Sequence, residues 1–131
     1  MTTPTSPAIT PYQLLGPEKI RQLANTFYDV MDELTEVEAI RKMHSANLDN
    51  IKEKLNDYLT GWMGGPPIYR EKYGTVCLTE PHKPYQINAQ HRDQWLQCMD
   101  EALIRIGASE EVISMLKGPM YDMANFVKNT D

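Results

Sequence analysis

The residue with the strongest capacity for unusual chemistry is His82, in the run Pro81-His82-Lys83-Pro84-Tyr85. Prolines on both sides fix their φ angles and stiffen the local path. A stiff path suits an imidazole that must point one way, as a metal or haem ligand does. A histidine in a loop is by itself more often solvent-exposed, so the motif alone leaves both readings open. Trp95 falls at helical spacing among apolar residues, where core packing is the plainer role. Its indole N–H donates and cannot accept, so burial calls for a partner or a ligand oxygen. Tyr28 poses the same choice from another segment, between a rim hydroxyl reaching water and a donor to a ligand. His44 reads as a polar turn residue after a short helical stretch. His91, beside Arg92 and Asp93, reads as solvated surface.

Other chemistries lack their residues. No two of the three histidines are spaced as a helical zinc pair, and Cys77 and Cys98 form no C-x-x-C. Gly-x-Ser-x-Gly, P-loop and Gly-x-Gly-x-x-Gly motifs are absent. Cys98 reads as a core residue, and nothing in the sequence marks either thiol as reactive. The eight methionines suit an irregular core and need no functional account.

These residues must be positioned by a chain of 131 residues, the length of one domain with a real core. Its net charge of −5 argues against a nucleic-acid partner. No apolar run approaches the ~18 residues of a membrane span, and no basic-then-apolar leader opens the chain. Two cysteines are too few for a disulfide framework. The expected compartment is the cytoplasm, with both thiols reduced.

Residues 1–11, rich in Pro and Thr, read as a flexible arm, and 12–131 as the domain. Tyr12 to Leu15 forms a short apolar turn. Pro17 opens a helix to about Glu33 with Ile20, Leu23, Ala24, Phe27, Met31 and Leu34 on one face. A short helical stretch spans 36–43. Residues 48–62 place Leu48, Ile51, Leu55, Tyr58, Leu59 and Trp62 on one stripe, with Asp49, Lys52, Glu53, Asn56 and Asp57 away from it, and stop at Gly64-Gly65-Pro66-Pro67. Residues 66–87 carry four prolines and no long periodic pattern. So long an irregular segment within a domain commonly marks function. Asn88 caps a helix to about Ile106 with Trp95, Cys98, Met99, Ala102, Leu103 and Ile106 inward. Ser109 caps the last helix, with Val112, Ile113, Leu116, Met120, Met123, Phe126 and Val127 inward and a kink expected at Gly118-Pro119. Periodicity alone therefore gives an all-α chain whose irregular segment holds the unusual chemistry.

Together these residues resemble the group II truncated haemoglobins, from about Tyr12 to Val127. The most specific stretch is His82-x-Pro84-Tyr85-x-Ile87, followed by Arg92-Asp93-x-Trp95-Leu96-x-Cys98-Met99. Upstream, Phe27-Tyr28, Trp62-x-Gly64-Gly65-Pro66, Tyr69 and Gly74 match in order and near-family spacing. The resemblance implies an all-α truncated globin, a two-over-two helical sandwich around haem b. It implies His82 as the proximal iron ligand, its second ring nitrogen donating to a backbone carbonyl.

On the distal side the resemblance implies Tyr28 and Trp95 as donors to a bound diatomic, with His44 completing the set. Ile51 and Leu55 face the ligand, and Ile51 stands where many other globins carry a histidine. Lys54 and Tyr69 match positions near a haem propionate. The family often has basic residues just before the proximal histidine, whereas this chain has Thr79-Glu80-Pro81, a carboxylate that would repel a propionate. The implied function is binding of O₂, NO, CO, and by extension sulfide or peroxide, at a polar pocket. Sensing, storage or NO and oxidative-stress detoxification fit such a pocket. NO dioxygenation or peroxidase-like turnover would need an external reductase. A monomer or weak homodimer is expected. Self-ligation by Tyr28 or His44 at the sixth iron position is a variant of this reading. The reading from another class is a haem-free helical interaction module, which leaves His82 and Trp95 without a role.

Overall fold

Spacing of apolar residues at three and four along long segments dictates helices that must bury one face against each other. A computed structural model of the protein describes residues 9–130, and in these residues only helices and turns occur. In order they are α1 (Pro11–Leu15), α2 (Pro17–Glu33), a 3₁₀ turn (Thr35–Val37), α3 (Glu38–Arg41), α4 (Asp49–Trp62), α5 (Ile68–Tyr73), α6 (Thr79–His82), α7 (Ala89–Arg105) and α8 (Glu110–Val127). Helix α2 packs on both α4 and α7, and α7 packs on α8. This is the two-over-two arrangement. The core runs through Ile20, Leu23, Phe27 and Met31 of α2, Leu59 and Met63 beyond it, Cys98 and Met99 of α7, and Leu116 of α8. Burying each such large side chain contributes roughly 1.5–3 kcal/mol.

The expected ends hold where the capping residues are strong. Pro17 opens α2, and Asn88 accepts from the His91 backbone N–H while the His91 ring accepts from the Asn88 N–H. Ser109 accepts from the Val112 N–H at the head of α8. Helix α8 runs through Pro119 to Val127. Between α4 and α7 stand only α5, of six residues, and α6, of four.

Four expectations are corrected. First, the arm ends earlier. Residues 1–8 lie outside the described part, but Thr10 caps α1 in a reciprocal box with Gln13, and Pro11 is the first helical residue. This turn docks on the end of α4, where the Tyr12 N–H donates to the Met63 carbonyl at 3.0 Å. A Cβ on Gly65 would lie 2.4 Å from the Tyr12 ring, so only glycine admits the contact. Second, the 36–43 stretch divides into the 3₁₀ turn and α3.

Third, Asn56 and Asp57 are buried rather than solvated. Helix α4 has a second covered side, because α5 folds onto it. Asp57 accepts from Lys72 of α5 at 2.7 Å and, weakly, from Asn56 at 3.4 Å. Lys72→Met removes the strong partner of a buried carboxylate. The expected cost is about 1–3 kcal/mol, the penalty for an under-satisfied buried acceptor. Urea unfolding at neutral pH measures it, and an unchanged midpoint would show that the pair does not hold α5. Fourth, Phe126 is 68% exposed. It lines a surface hollow with Tyr58, Trp62 and Pro119 instead of entering the core.

Candidate functional site

The irregular segment and the helix faces around it enclose a cavity of about 390 Å³. Every residue singled out from the sequence lines it: Tyr28 on α2, His44 after α3, Ile51, Lys54 and Leu55 on α4, Tyr69 on α5, His82 on α6 and Trp95 on α7. Helices α2, α4 and α7 bring their residues there from the edge of faces otherwise committed to the core, while Tyr69 and His82 come from the short helices α5 and α6, which bury none of their residues.

His82 ends α6, a single turn whose short length leaves the imidazole in the cavity rather than packed in a helix interface. Its Nδ1 bonds the Leu78 carbonyl oxygen one turn earlier. A carbonyl only accepts, so Nδ1 carries the proton and Nε2 keeps its lone pair. That is the tautomer a metal ligand requires. The backbone beyond His82 is clamped by the tail. Asn129 Nδ2 donates to the Tyr85 carbonyl at 2.9 Å, and its Oδ1 accepts from the Ile87 N–H at 2.8 Å.

Tyr28 is buried and stacks edge-on against Phe27, with ring centroids 4.9 Å apart. Burial pushes its hydroxyl well above the usual phenol range, so it stays protonated. Trp95 leans on Phe27, with centroids 5.1 Å apart. Neither the Tyr28 hydroxyl nor the Trp95 indole N–H bonds a described residue. Both are donors that face the cavity, with no acceptor among the described residues.

His44 differs from them. Its Nδ1 lies 2.7 Å from the Ile40 carbonyl oxygen, so Nδ1–H is again the donor. Burial holds its pKa below the ordinary imidazole value, which keeps the ring neutral. The free Nε2 is therefore an acceptor or a ligand atom. It does not add a third donor, contrary to the role expected for it. The ring stands 5.6 Å from that of Tyr28, centroid to centroid.

Two residues missed from the sequence belong here. His91, expected at the surface, lines the cavity beside Arg92. The Arg92 guanidinium is anchored by Asp93 at 2.9 Å and by the Asn125 side-chain oxygen at 2.9 Å. With Lys54 it gives the cavity two cations. Arg92 lies three residues before Trp95, on the same side of α7, and that spacing was the available signal. Glu80, the carboxylate that threatened a propionate, is exposed and paired with Lys83 at 3.1 Å, away from the cavity lining.

The two thiols also diverge. Cys98 is fully buried, and burial pushes its thiol up to about 12. Cys77 is exposed, and hydrogen bonds from Thr79 and from the backbone at the start of α6 lower its pKa. Its neighbours in sequence carry no sign of that.

An apolar cavity, one correctly protonated imidazole, two unpartnered donors and two cations fit an iron porphyrin with its propionates. They fit a simple metal ion poorly: no three His, Cys, Asp or Glu side chains group as a metal site among the described residues, and no acidic side chain lines the cavity.

Comparison with known proteins agrees with this fit. The family model for bacterial-like globins matches residues 10–129. The group 2 truncated hemoglobin YjbI of Bacillus subtilis is 30% identical over 119 residues, covering 91% of this chain and 88% of that protein. A group II 2-on-2 hemoglobin from Agrobacterium tumefaciens superposes with a TM-score of 0.89 at 32% identity, covering 98% of this chain and all of that one. The truncated oxygen-avid haemoglobin from Bacillus subtilis superposes with a TM-score of 0.83 at 30% identity, covering 92% of this chain and 100% of that one.

Proposed function

The chain belongs to the bacterial-like globin family, as a truncated haemoglobin with haem b as its cofactor and diatomic gases as its ligands; on that premise we propose that it holds O₂ tightly, for sensing or redox chemistry rather than delivery. The observation that carries this reading is the pair of unpartnered donors, Tyr28 and Trp95, in the cavity that holds the His82 imidazole. Haem bound there would supply an iron that binds a small molecule.

The protein's own residues do the rest. Nε2 of His82 would hold the haem iron, and the Leu78 carbonyl fixes the ring's tautomer and direction. The Tyr28 hydroxyl and the Trp95 N–H donate to a ligand oxygen. Their preformed positions in an apolar cavity make such bonds stronger than they would be in water. Ile51 and Leu55 bound the space and exclude water. Lys54, Arg92 and Tyr69 line the cavity and would pair with the propionates. The Bacillus subtilis relative, described as oxygen-avid, supports slow O₂ release.

Turnover of NO or of peroxide fits the same pocket, with a separate reductase as electron donor. Among the described residues no helix is long and apolar enough to cross a membrane. We assign the protein to the cytoplasm and treat it as a monomer or weak dimer.

Reconstitution with haem tests the core of this reading. A stoichiometric complex is expected, with a sharp Soret band that shifts when the reduced protein meets CO. A reduced spectrum already six-coordinate before CO would identify Nε2 of His44 or the Tyr28 oxygen as an internal ligand. Failure to bind haem at one equivalent would overturn the reading.

A further inference from the structure

Three tyrosine rings run outward from the cavity in direct succession. Tyr58 and Tyr69 both line it. Their centroids are 5.3 Å apart, edge to face. Tyr69 then meets Tyr73 at 4.6 Å, and Tyr73 is 43% exposed at the end of α5. The Lys54 ammonium lies over the outer ring at 5.5 Å. Rings at these separations are in van der Waals contact. Phenols are also the side chains, with indole, that most readily give up one electron. Positions 69 and 73 are one turn apart, so both rings lie on one side of the helix, and Lys72 pins that helix to Asp57 of α4.

We propose that Tyr58, Tyr69 and Tyr73 form a one-electron relay between the haem pocket and the surface, so that peroxide reduced in the pocket is paid for by oxidation at Tyr73. The inference rests on the haem reading above. Hydrogen peroxide takes two electrons and two protons to become two waters. Each Tyr73 phenol supplies one of each and is left as a neutral radical. Two such radicals on separate molecules couple through a new carbon–carbon bond. The sum is two tyrosines plus one H₂O₂ giving one dityrosine and two waters. When a small phenol is present, it gives the electron and proton in place of Tyr73 and leaves as its own radical. Such a donor therefore never has to enter the cavity.

The row competes with two other exposed tyrosines. Tyr85 lines the cavity directly, and Tyr121 lies outside it under Arg92. The test treats the ferric haem complex with hydrogen peroxide and no added donor. It reads tyrosyl radical by electron paramagnetic resonance and locates dityrosine by peptide mass spectrometry of covalent dimers. Cross-links at Tyr73 are expected. Tyr73→Phe abolishes them. The decisive variant is Tyr69→Phe, which keeps the ring but breaks the row while leaving Tyr73 in place and exposed. Loss of Tyr73 cross-links in that variant, with Tyr85 and Tyr121 products retained, supports the relay. Undiminished Tyr73 cross-linking in Tyr69→Phe overturns it, as does oxidation confined to Tyr85 or Tyr121 in the wild type. Either result leaves the haem reading standing if the Soret band responds to peroxide. An absent Soret band overturns both.

Discussion

His82→Gly is expected to abolish the haem spectrum at one equivalent of haem, and millimolar imidazole is expected to restore it. The argument is one of chemistry and position. Among the cavity-lining residues, His82 and His44 each have a lone-pair nitrogen freed by a backbone bond, and His82 adds a side-chain clamp on the chain that follows it. Leu78 holds the ring and Asn129 holds the chain just beyond it. Glycine removes the ligand and leaves a space of imidazole shape. The side chain is only half-buried and stands apart from the core cluster, so the fold is expected to survive. Circular dichroism of the variant checks that directly. A variant that binds haem with the unaltered wild-type spectrum would show that another residue is the proximal ligand. Asn129→Ala is expected to act in the same direction but weakly, because it loosens the path of residues 85–87 without removing the ligand.

How much of this was legible in the sequence depends on how far apart the cooperating residues lie. Helices α2, α4, α7 and α8 follow from spacing and caps, since each capping bond closes within three residues. The eight singled-out site residues all reach one cavity because each belongs to a helix face or turn that the sequence describes locally. The partners that orient them are of another kind. Asn129 acts on residues more than forty positions away through backbone groups, which carry no residue identity to read. Asp57 looks solvated on a helix with one covered side, but α4 has two. The second side is covered by α5, too short to leave a periodic signature. Phe126 fails in the opposite sense. Its spacing is that of an inward residue, yet it opens onto a surface hollow. His44 shows a finer limit. Its presence in the pocket is legible, but which nitrogen is free depends on the Ile40 carbonyl.

That last point fixes the second large effect. Trp95→Phe is expected to speed O₂ release about 10- to 100-fold. A hydrogen bond to a charge-bearing acceptor contributes about 1.5–3 kcal/mol, and each 1.4 kcal/mol is tenfold. Phenylalanine retains the contact with Phe27 while deleting the only polar atom of the indole. Tyr28→Phe is expected to act likewise, since burial keeps that hydroxyl protonated and it bonds no described residue. His44→Phe separates this account from a general loosening of the pocket. Neutral His44 offers only a lone pair at Nε2, so it can hold the Tyr28 proton or repel a ligand oxygen but cannot donate to it. Its removal should leave O₂ release unchanged or slow it. Stopped-flow displacement of O₂ by CO measures all three variants. Equal acceleration in all three would mean that pocket volume, rather than the two donors, governs escape.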